Sequence, residues 1–174
     1  AAVLENGNAL QDASKELQND REIVSNAVQR DASALYFASE YLRDDREVVL
    51  KTVQRHGFAL QYATPELRND RKIALAAVIE NGAALQHVSD ELQSDREIVV
   101  AAIQRNGSAL QYASTKLRSD REVVRAAVHQ DGNALRYAGL QLKADQEIVL
   151  AAVQKTARAL EYAALELIRD RNFT

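Results

Sequence analysis

Apolar residues recur at the same places in this chain every 25 residues, and within each period they follow a helical spacing. One example is the group Val48, Val49, Thr52 and Val53. The spacing i, i+1, i+4, i+5 places such residues on one face of an α-helix. Because a strict period of about 20–50 residues is typical of stacked repeats, the pattern predicts an array of short amphipathic helices.

An aspartate opens each of these predicted helices. Aspartate is a favoured N-cap, because its carboxylate accepts the free amide protons of the first helical turn. The seven aspartates follow one another at 25-residue intervals: Asp20, Asp45, Asp70, Asp95, Asp120, Asp145 and Asp170. They divide the chain into a partial repeat (1–19), full repeats at 20–44, 45–69, 70–94, 95–119, 120–144 and 145–169, and the start of another at 170–174. We predict that residues 1–174 form a single repeat array.

Each predicted first helix is roughly 11 residues long and in most repeats ends at a polar residue followed by glycine. These pairs are Asn6–Gly7, His56–Gly57, Asn81–Gly82, Asn106–Gly107 and Asp131–Gly132. Glycine suits the left-handed conformation just past a helix end. Asp31–Ala32 and Thr156–Ala157 lack the glycine, so we expect those two ends to be strained or closed differently.

The second half of each repeat predicts a short helix, a break and a terminal turn. Thr64–Pro65 marks the break, because threonine caps helices and proline is tolerated at a first helical position but not in a helix interior. Gly139 stands at the equivalent position and also fits a break. In the last full repeat Ala164 and Leu165 replace the capping residues, and over 158–169 we expect one continuous helix.

Helices this short are marginal in isolation, so stacking must stabilise them. Two sets of equivalent residues are predicted to form the interior: Val28, Val53, Val78, Ile103, Val128 and Val153, and Leu35, Leu60, Leu85, Leu110, Leu135 and Leu160. The predicted fold is therefore all-α, an α-solenoid (a superhelical array) of 25-residue repeats. Each repeat would be a helix of about 11 residues, a short helix and a terminal turn.

The amino-acid sequence of the repeat resembles that of a known family. The repeat Asp95–Ser119 contains Asp-Arg-Glu-Ile-Val, then Asn-Gly, then Ala-Leu-Gln-Tyr-Ala-Ser. This is similar to the repeats of the family labelled "domain of unknown function 4116", and the similarity covers essentially all 174 residues. The resemblance implies tandem helical repeats of the kind found in effectors secreted by intracellular bacterial pathogens and in proteins of algae and other protists. It implies no catalytic residues.

Composition narrows the class of partner more than it narrows the compartment. The net charge is −3, whereas nucleic-acid binders usually carry a basic face, so we expect a protein or peptide partner rather than a nucleic acid. No apolar run approaches the ~18 residues of a membrane-spanning helix, and the chain has no cysteine for disulfides or thiolate metal sites. There is also no methionine, so we interpret the chain as part of a longer array. We expect it to be soluble, in the cytoplasm or, if it is a secreted effector, in the host cytoplasm; its oligomeric state is open.

Three sets of equivalent cations have interpretations that need no ligand: one set is structural and two form a solvated face. One follows the capping aspartates and is expected to form ion pairs with Asp or Glu of adjacent repeats: Arg21, Arg46, Arg71, Arg96, Arg121 and Arg171, with Gln146 interrupting. The other two are expected to be solvated: Arg43, Arg68, Arg118 and Lys143, and Arg30, Arg55, Arg105 and Lys155. An anion-binding row is the alternative for the first set, which its interleaved glutamates disfavour.

A ladder of rings is the candidate partner-binding site. It consists of Phe37 and the candidate residues Tyr62, His87, Tyr112, Tyr137 and Tyr162, preceded by Gln61, Gln86, Gln111 and Arg136. These residues could line a groove, because tyrosine offers flat contact area and a hydroxyl. The alternative is that the rings simply pack between neighbouring helices. The positions that vary most between repeats are further candidates for specificity: Ser33, Phe58, Ala83, Ser108, Asn133 and Arg158.

No enzymatic constellation stands out, so we predict no catalytic residue, cofactor site or metal site. His56, His87 and His129 occupy three different positions of the repeat, and no phosphate-binding loop or nucleophile motif occurs. We therefore predict a non-catalytic scaffold for protein–protein interaction. An architectural spacer in a large assembly is the alternative, and an RNA-binding repeat array a distant one.

Overall fold

The computed structural model describes residues 7–169, and every regular element in that range is a helix. This confirms the all-α fold built from 25-residue helical repeats. The chain forms two compact units, Ala1–Ser89 and Asp90–Thr174. Asn6, Asp170 and Arg171, like the predicted start of a repeat at 170–174, lie outside the described residues. The single array over 1–174 stays a prediction.

Three kinds of element alternate along the chain. The long α-helices are Arg21–Arg30, Arg46–Val53, Arg71–Glu80, Arg96–Arg105, Arg121–Gln130 and Gln146–Lys155. Each is followed by a six-residue 3-10 helix, and one more 3-10 helix precedes the first: Gly7–Asp12, Ala32–Phe37, Gly57–Tyr62, Gly82–His87, Gly107–Tyr112, Gly132–Tyr137 and Ala157–Tyr162. One-turn helices complete the repeats: Lys15–Gln18, Glu40–Arg43, Pro65–Arg68, the 3-10 turn Leu92–Ser94, Thr115–Arg118, Leu140–Lys143 and Leu165–Ile168. The predicted short helix is thus a 3-10 helix, and the predicted terminal turn is one turn of helix.

The aspartate that opens each long helix is an N-cap, as predicted. Asp45 Oδ1 accepts hydrogen bonds from the amide N–H groups of Glu47 and Val48, at 2.9 and 3.0 Å. Partial burial alone would raise the pKa of Asp45, but the Arg21 guanidinium and these two amides outweigh it and hold the pKa below its usual range. The capping carboxylate is therefore charged in the fold near neutral pH.

The arginines that follow these caps pair with the next repeat, as predicted. Arg21 Nε lies 3.0 Å from Asp45 Oδ2, and Arg21 Nη2 lies 2.7 Å from Glu47 Oε2. The same link joins Arg46 to Asp70 at 2.8 Å. Because Asp45 and Asp70 each serve both their own helix and the preceding repeat, the arginines that pair with them are structural.

The glycine after the long helix has a different role from the predicted one. No glycine among residues 7–169 has a positive φ, so the predicted left-handed conformation is wrong. Instead, a Cβ on Gly57 would lie 2.3 Å from the carbonyl oxygen of Ala77, and a Cβ on Gly132 would lie 2.3 Å from that of Ala152. Glycine is required because the long helix of the next repeat approaches the backbone too closely for any side chain.

The two helix ends without glycine keep the ordinary backbone geometry. The φ and ψ angles are −143° and 114° at Asp31 and −148° and 108° at Thr156, close to the −141° and 109° of Asn81. The expectation of strain or a different closure is therefore wrong for these two ends. Alanine in place of glycine at positions 32 and 157 therefore leaves the backbone of these helix ends unchanged.

The effect of Ala32 is found one repeat later, in the helix Arg46–Val53. This helix has 8 residues, whereas the neighbouring long helix Arg71–Glu80 has 10. Thr52 stands where Ala77 stands in the next repeat, and its hydroxyl donates to the Val48 carbonyl at 2.7 Å, a bond that often bends helices. A cleft of about 250 Å³ lies beside the helix, lined by Ser25, Val28, Gln29, Val48, Lys51, Thr52, Gln54 and Arg55. We attribute the cleft to the methyl group of Ala32, because a Cβ at the equivalent Gly57 or Gly132 would lie 2.3 Å from a carbonyl of the following long helix.

The predicted break before the terminal turn is confirmed at Thr64 and at Gly139. The N–H of Thr64 donates to the carbonyl of Arg43 in the preceding repeat at 3.3 Å, and its hydroxyl donates to Asp44 Oδ1 at 2.6 Å. The N–H of Gly139 donates in the same way to the carbonyl of Arg118 at 2.8 Å. Each break thus places a backbone donor against the repeat before it.

The predicted continuous helix over 158–169 is wrong. Ala164 is extended, with φ −65° and ψ 139°, and separates the 3-10 helix from the one-turn helix. Its N–H donates to the carbonyl of Lys143 at 2.8 Å. The preceding repeat therefore imposes the break even where the chain offers no capping side chain.

The two predicted interior ladders are buried, except at their last members. The fully buried leucines of the second ladder are Leu35, Leu60, Leu85, Leu110 and Leu135. Val153, however, is half-buried and Leu160 is 37% exposed, so the prediction is wrong for these two residues. In both compact units a 3-10 helix packs against the long helix of the following repeat. Among the described residues, no long helix follows Leu160.

The two sets of cations that were expected to be solvated differ in their exposure. Arg30, Arg55, Arg105 and Lys155 are exposed, as predicted. The set Arg43, Arg68, Arg118 and Lys143 is half-buried, so the predicted solvated face is wrong there. The Nε atoms of its three arginines are buried without a hydrogen-bond partner. Long cationic side chains can bury their stems and still bring the charged end to the surface.

Candidate functional site

Most of the 3-10 helices that follow a long helix are capped by the polar residue before them, although His56 and Thr156 make no such bond. Asp31 Oδ1 accepts from the Ser33 amide at 2.8 Å, and Asn106 Oδ1 accepts from the Ser108 amide at 3.0 Å. Such a side chain ends the long helix and starts the next element, which explains the recurring Asn or Asp. The chain therefore turns into a 3-10 helix at the same point of each described repeat.

A 3-10 helix repeats every three residues, so it presents one residue in three to the same side. In Gly57–Tyr62 the residues Gly57 and Leu60 are buried, while Phe58 and Gln61 are exposed. We call the outward residues of these helices, with the rings that adjoin them, the 3-10 surface. In the first compact unit it comprises Asn8, Gln11, Ser33, Tyr36, Phe37, Phe58, Gln61, Tyr62, Ala83, Gln86 and His87. In the second it comprises Ser108, Gln111, Tyr112, Asn133, Arg136, Tyr137, Arg158, Glu161 and Tyr162.

The predicted ring ladder forms part of this surface, and every ring in it is half-buried: Phe37, Tyr62, His87, Tyr112, Tyr137 and Tyr162. Of the polar residues that precede the rings, Gln61 and Arg136 are exposed, whereas Gln86 and Gln111 are half-buried. The Nε2 atoms of these two glutamines donate to the carbonyls of Ala83 and Ser108, at 3.2 and 3.1 Å. The rings therefore pack and present an edge to solvent at the same time.

Aromatic residues cluster on the 3-10 surface of the first compact unit. The ring centroids of Tyr36 and Tyr62 are 5.8 Å apart, and those of Tyr36 and Phe37 are 5.2 Å apart. Phe58 and His87 form a further edge-to-face pair at 5.4 Å. A cleft of about 450 Å³ opens beside them, lined by Asn8, Gln11, Ser33, Tyr36, Phe37 and Tyr62. Three successive repeats thus contribute to one aromatic cleft.

Sequence reasoning missed Tyr36, which is 61% exposed. The available signal was its position: Tyr36 stands where Gln61, Gln86 and Gln111 stand in later repeats. Ser33 and Phe58, which were selected for their variability, do lie on the 3-10 surface beside the ladder.

His87 is the titratable member of the ladder. Burial lowers the pKa of His87, and the nearby Arg68 guanidinium lowers it further. The imidazole Nε2 is buried without a hydrogen-bond partner. At neutral pH the ring is therefore uncharged, and it packs as the tyrosines do at equivalent positions.

The second compact unit carries cations at the corresponding places. The Arg136 guanidinium lies 4.4 Å from the centroid of the Tyr137 ring and donates to the Tyr137 hydroxyl. The bonds to the Tyr137 and Tyr162 hydroxyls raise the pKa of Arg136. Lys143 Nζ donates to the Arg136 carbonyl at 2.6 Å. A second cleft, of about 530 Å³, is lined by Thr115, Arg118, Ser119, Tyr137, Ala138, Gly139, Leu140, Gln141 and Leu142.

Two further findings concern metal binding and membrane insertion. Within residues 7–169 no group of three His, Cys, Asp or Glu side chains is placed so that it could hold a metal ion. In the same range no helix has the length and apolar character needed to span a bilayer.

The fold and its surface define a helical-repeat protein. The profile of the family described as "domain of unknown function (DUF4116)" matches residues 1–43, 45–93, 70–118, 95–143 and 120–169. The chain belongs to this family, which confirms the resemblance seen in the sequence of the repeat. Comparisons with curated proteins and with solved structures found no match.

Proposed function

We propose that this chain is a non-catalytic scaffold that binds a protein or peptide partner through its 3-10 surface. The observation that carries the proposal is the exposed aromatic groups of the first compact unit: Tyr36 lines the aromatic cleft, and Phe58 pairs with His87 on the same 3-10 surface. Tyr36 is 61% exposed and Phe58 is 37% exposed, although the repeats have buried positions for apolar residues. Exposed aromatic groups arranged in contact with one another are typical of protein interaction sites.

The arrangement of the 3-10 helices supports the same proposal. Successive 3-10 helices pack side by side within each compact unit, so their outward residues form rows. The fold tolerates changes at these positions, as shown by Ser33, Phe58 and Ala83 at equivalent places. Different residues on a constant framework are what a repeat scaffold needs to select its partner.

An architectural spacer is the competing function. A spacer needs no exposed aromatic cluster, and each exposed ring adds a risk of aggregation. The net charge of −3 weighs against the RNA-reading alternative, since polyanion binding draws on a basic surface.

Selection of short peptides from a random display library, with the full 174-residue chain as bait, tests the proposal. Two substitutions take residues from equivalent positions and so preserve the fold: Tyr36→Gln, after Gln61, and Phe58→Ser, after Ser33. We expect selected peptides to lose about tenfold or more in affinity for the double variant, as interface hot-spot aromatics do. Fluorescence anisotropy with labelled peptides gives the dissociation constants.

The matched control is Tyr41→Glu, which removes an exposed tyrosine from the one-turn helix Glu40–Arg43 and introduces the residue found at Glu66. It should leave the affinity unchanged. If no peptide is enriched, or if the control weakens binding as much as Tyr36→Gln with Phe58→Ser, the scaffold proposal fails and the spacer becomes the better account.

A further inference from the structure

Several cations of the second compact unit have no carboxylate partner among the described residues, and three of them lie close to Tyr137: Arg118, Arg136 and Lys143. Other arginines of this unit do pair with carboxylates: Arg121 pairs with Asp145 and Glu147, and Arg158 pairs with Glu161. By contrast, the cations Arg118, Arg136 and Lys143 form no ion pair with any carboxylate within residues 7–169.

Tyr137 lies between these cations: it lines a cleft together with Arg118, and its ring contacts Arg136, which with Lys143 lies outside the cleft lining. The ring of Tyr137 and the side chain of Arg118 line the same cleft of about 530 Å³. The Arg136 guanidinium lies against the Tyr137 ring, and Lys143 Nζ is bonded to the Arg136 carbonyl at 2.6 Å. Arg118 Nη2 has only a long contact of 3.4 Å with Thr115 Oγ1, and its Nε is buried without a partner. The guanidinium of Arg118 thus retains unused donors at the cleft.

Gly139 lines the cleft without a side chain of its own. At the equivalent position Thr64 fills the space with a side chain whose hydroxyl donates to Asp44 at 2.6 Å. Here the Ser119 hydroxyl lies 2.5 Å from the point that a Cβ of residue 139 would occupy, so it takes the place of that side chain. Leu140 beside it is 82% exposed and gives the polar cleft an apolar edge.

Unpaired guanidinium groups beside hydroxyls suit a ligand with a planar oxyanion. Arginine donors match the two oxygens of a carboxylate, and such charge-assisted bonds are stronger than neutral ones. The exposed Leu140 favours an apolar group next to that carboxylate. A polyanion is disfavoured, because the net charge of −3 gives no long-range attraction for it.

We propose that Arg118, Arg136 and Lys143, with Tyr137, form a carboxylate-recognition site that binds an acidic segment of a peptide or protein partner. The inference rests on the scaffold function and names the chemistry of the partner for the second compact unit. It assigns an acidic and apolar sequence to this cleft, whereas the aromatic cleft of the first unit has no comparable set of free cations.

The test is a titration of the full chain with a fluorescein-labelled peptide of alternating Glu and Leu, and with the same peptide carrying Gln in place of Glu. The variants are Arg118→Gln and Arg136→Gln, which introduce the residues found at Gln93 and Gln111 and so are compatible with the repeat. We expect the Glu peptide to bind, the Gln peptide to bind about tenfold or more weakly, and each variant to lose a similar factor. Added NaCl should weaken only the Glu peptide.

Arg121→Gln is the matched control, because it makes the same change of charge at a guanidinium already engaged by Asp145 and Glu147. It should bind the Glu peptide as the unchanged chain does, and circular dichroism melting shows that each variant is folded. Equal binding of the Glu and Gln peptides, or unchanged affinity in Arg118→Gln and Arg136→Gln, overturns the inference. So does tighter binding of oligouridylate with the same dependence on these arginines.

Failure here is distinguishable from failure of the scaffold proposal. Peptides from the library that depend on Tyr36 and Phe58 would uphold the scaffold while the Glu peptide fails to bind.

Discussion

Single residues of this chain are constrained by atoms about one repeat away. Gly132 is the clearest case: a Cβ there would lie 2.3 Å from the backbone carbonyl of Ala152. A Cβ on Gly139 would also be too close to a neighbour, at 2.5 Å, but that neighbour is the hydroxyl of Ser119. A hydroxyl can rotate away, whereas a helix carbonyl cannot move without its helix.

The first prediction compares these two glycines. Gly132→Ala should destabilise the fold by about 1–3 kcal/mol, as overpacking does. Gly139→Ala should cost much less, since Ala164 is already accepted at the equivalent position. Urea denaturation followed by circular dichroism measures both. Equal losses for the two variants would contradict the steric role of Gly132.

The second prediction concerns Asp45, which caps its helix and pairs with Arg21. Its pKa is lower in the folded than in the unfolded state, so its contribution to stability is present above the unfolded pKa of about 4 and is lost as the pH falls through the folded pKa. Asp45→Asn keeps an oxygen for the cap but removes this charge. The free energy of unfolding should therefore decrease less between pH 5 and pH 3 in Asp45→Asn than in the unchanged chain.

Asp45→Ala separates the cap from the charge. It should lose about 0.5–2 kcal/mol at pH 7, the ordinary cost of a missing N-cap, whereas Asp45→Asn should lose less than about 1 kcal/mol, because exposed ion pairs contribute little. Chemical denaturation at pH 7, 5 and 3 gives all three comparisons. Parallel pH dependence of Asp45→Asn and the unchanged chain would show that the charge has no such role.

Among the elements, the long helices and the breaks could be predicted from the sequence because their signals are local. Asp45 and Pro65 act on the turn that they begin. The 3-10 geometry could not be predicted, because apolar spacing over six residues fits an α-turn as well as a 3-10 turn. The reason for a glycine at position 57 could not be predicted either, because the carbonyl that excludes a side chain there belongs to Ala77, 20 residues further along the chain.

The third prediction concerns the shortened helix Arg46–Val53. Ala32→Gly together with Thr52→Ala restores the residues of the other repeats and should let this helix approach the preceding one. At present the Arg55 amide donates to the Thr52 carbonyl, three residues back, at 3.2 Å. We expect the double variant to extend the helix and to raise the melting temperature.

Amide hydrogen exchange measured by NMR is the direct readout, because the amides of Gln54 and Arg55 should become more protected. Thr52→Ala alone is the control, since it removes the hydroxyl bond but leaves the methyl of Ala32 in place. If this single variant protects the two amides as well as the double variant does, Ala32 is not the cause of the cleft.

At the scale of the whole chain, the sequence predicts the ring ladder but not the surface to which it belongs. Tyr62 and Tyr137 were found because they recur. Tyr36 and Gly139 could not be predicted as site residues, because each differs from the residue found at the equivalent position of most other repeats. The effect of such a difference depends on the side chain that it contacts in a neighbouring repeat, here Tyr62 and Ser119. Recurrence therefore indicates the framework, and the exceptions indicate where one repeat differs from another.

The fourth prediction is that a whole repeat can be removed. Deletion of residues 120–144 leaves Arg96 to pair with Asp145 and Gly107 to face Ala152, contacts of the kind already present. We expect a folded protein with unchanged helicity per residue and a lower melting temperature, since repeat arrays lose stability with each interface removed. Deletion of residues 120–131 is the control, because it breaks the 25-residue register. A folded product from the control, or an unfolded one from the full deletion, would contradict this.

The hydrogen bonds and ion pairs between repeats have a kinetic consequence. Arg21 forms an ion pair with Asp45, and the amides of Thr64 and Gly139 donate to the carbonyls of Arg43 and Arg118. Each of these contacts closes a loop of fewer than 30 residues. Chains whose contacts are near in sequence fold quickly, because little loop entropy is lost before the contacts form. A repeat can therefore dock on its predecessor soon after both have left the ribosome, and a ribosome-bound chain arrested just far enough downstream for residue 69 to have emerged should already show protection of the Thr64 amide.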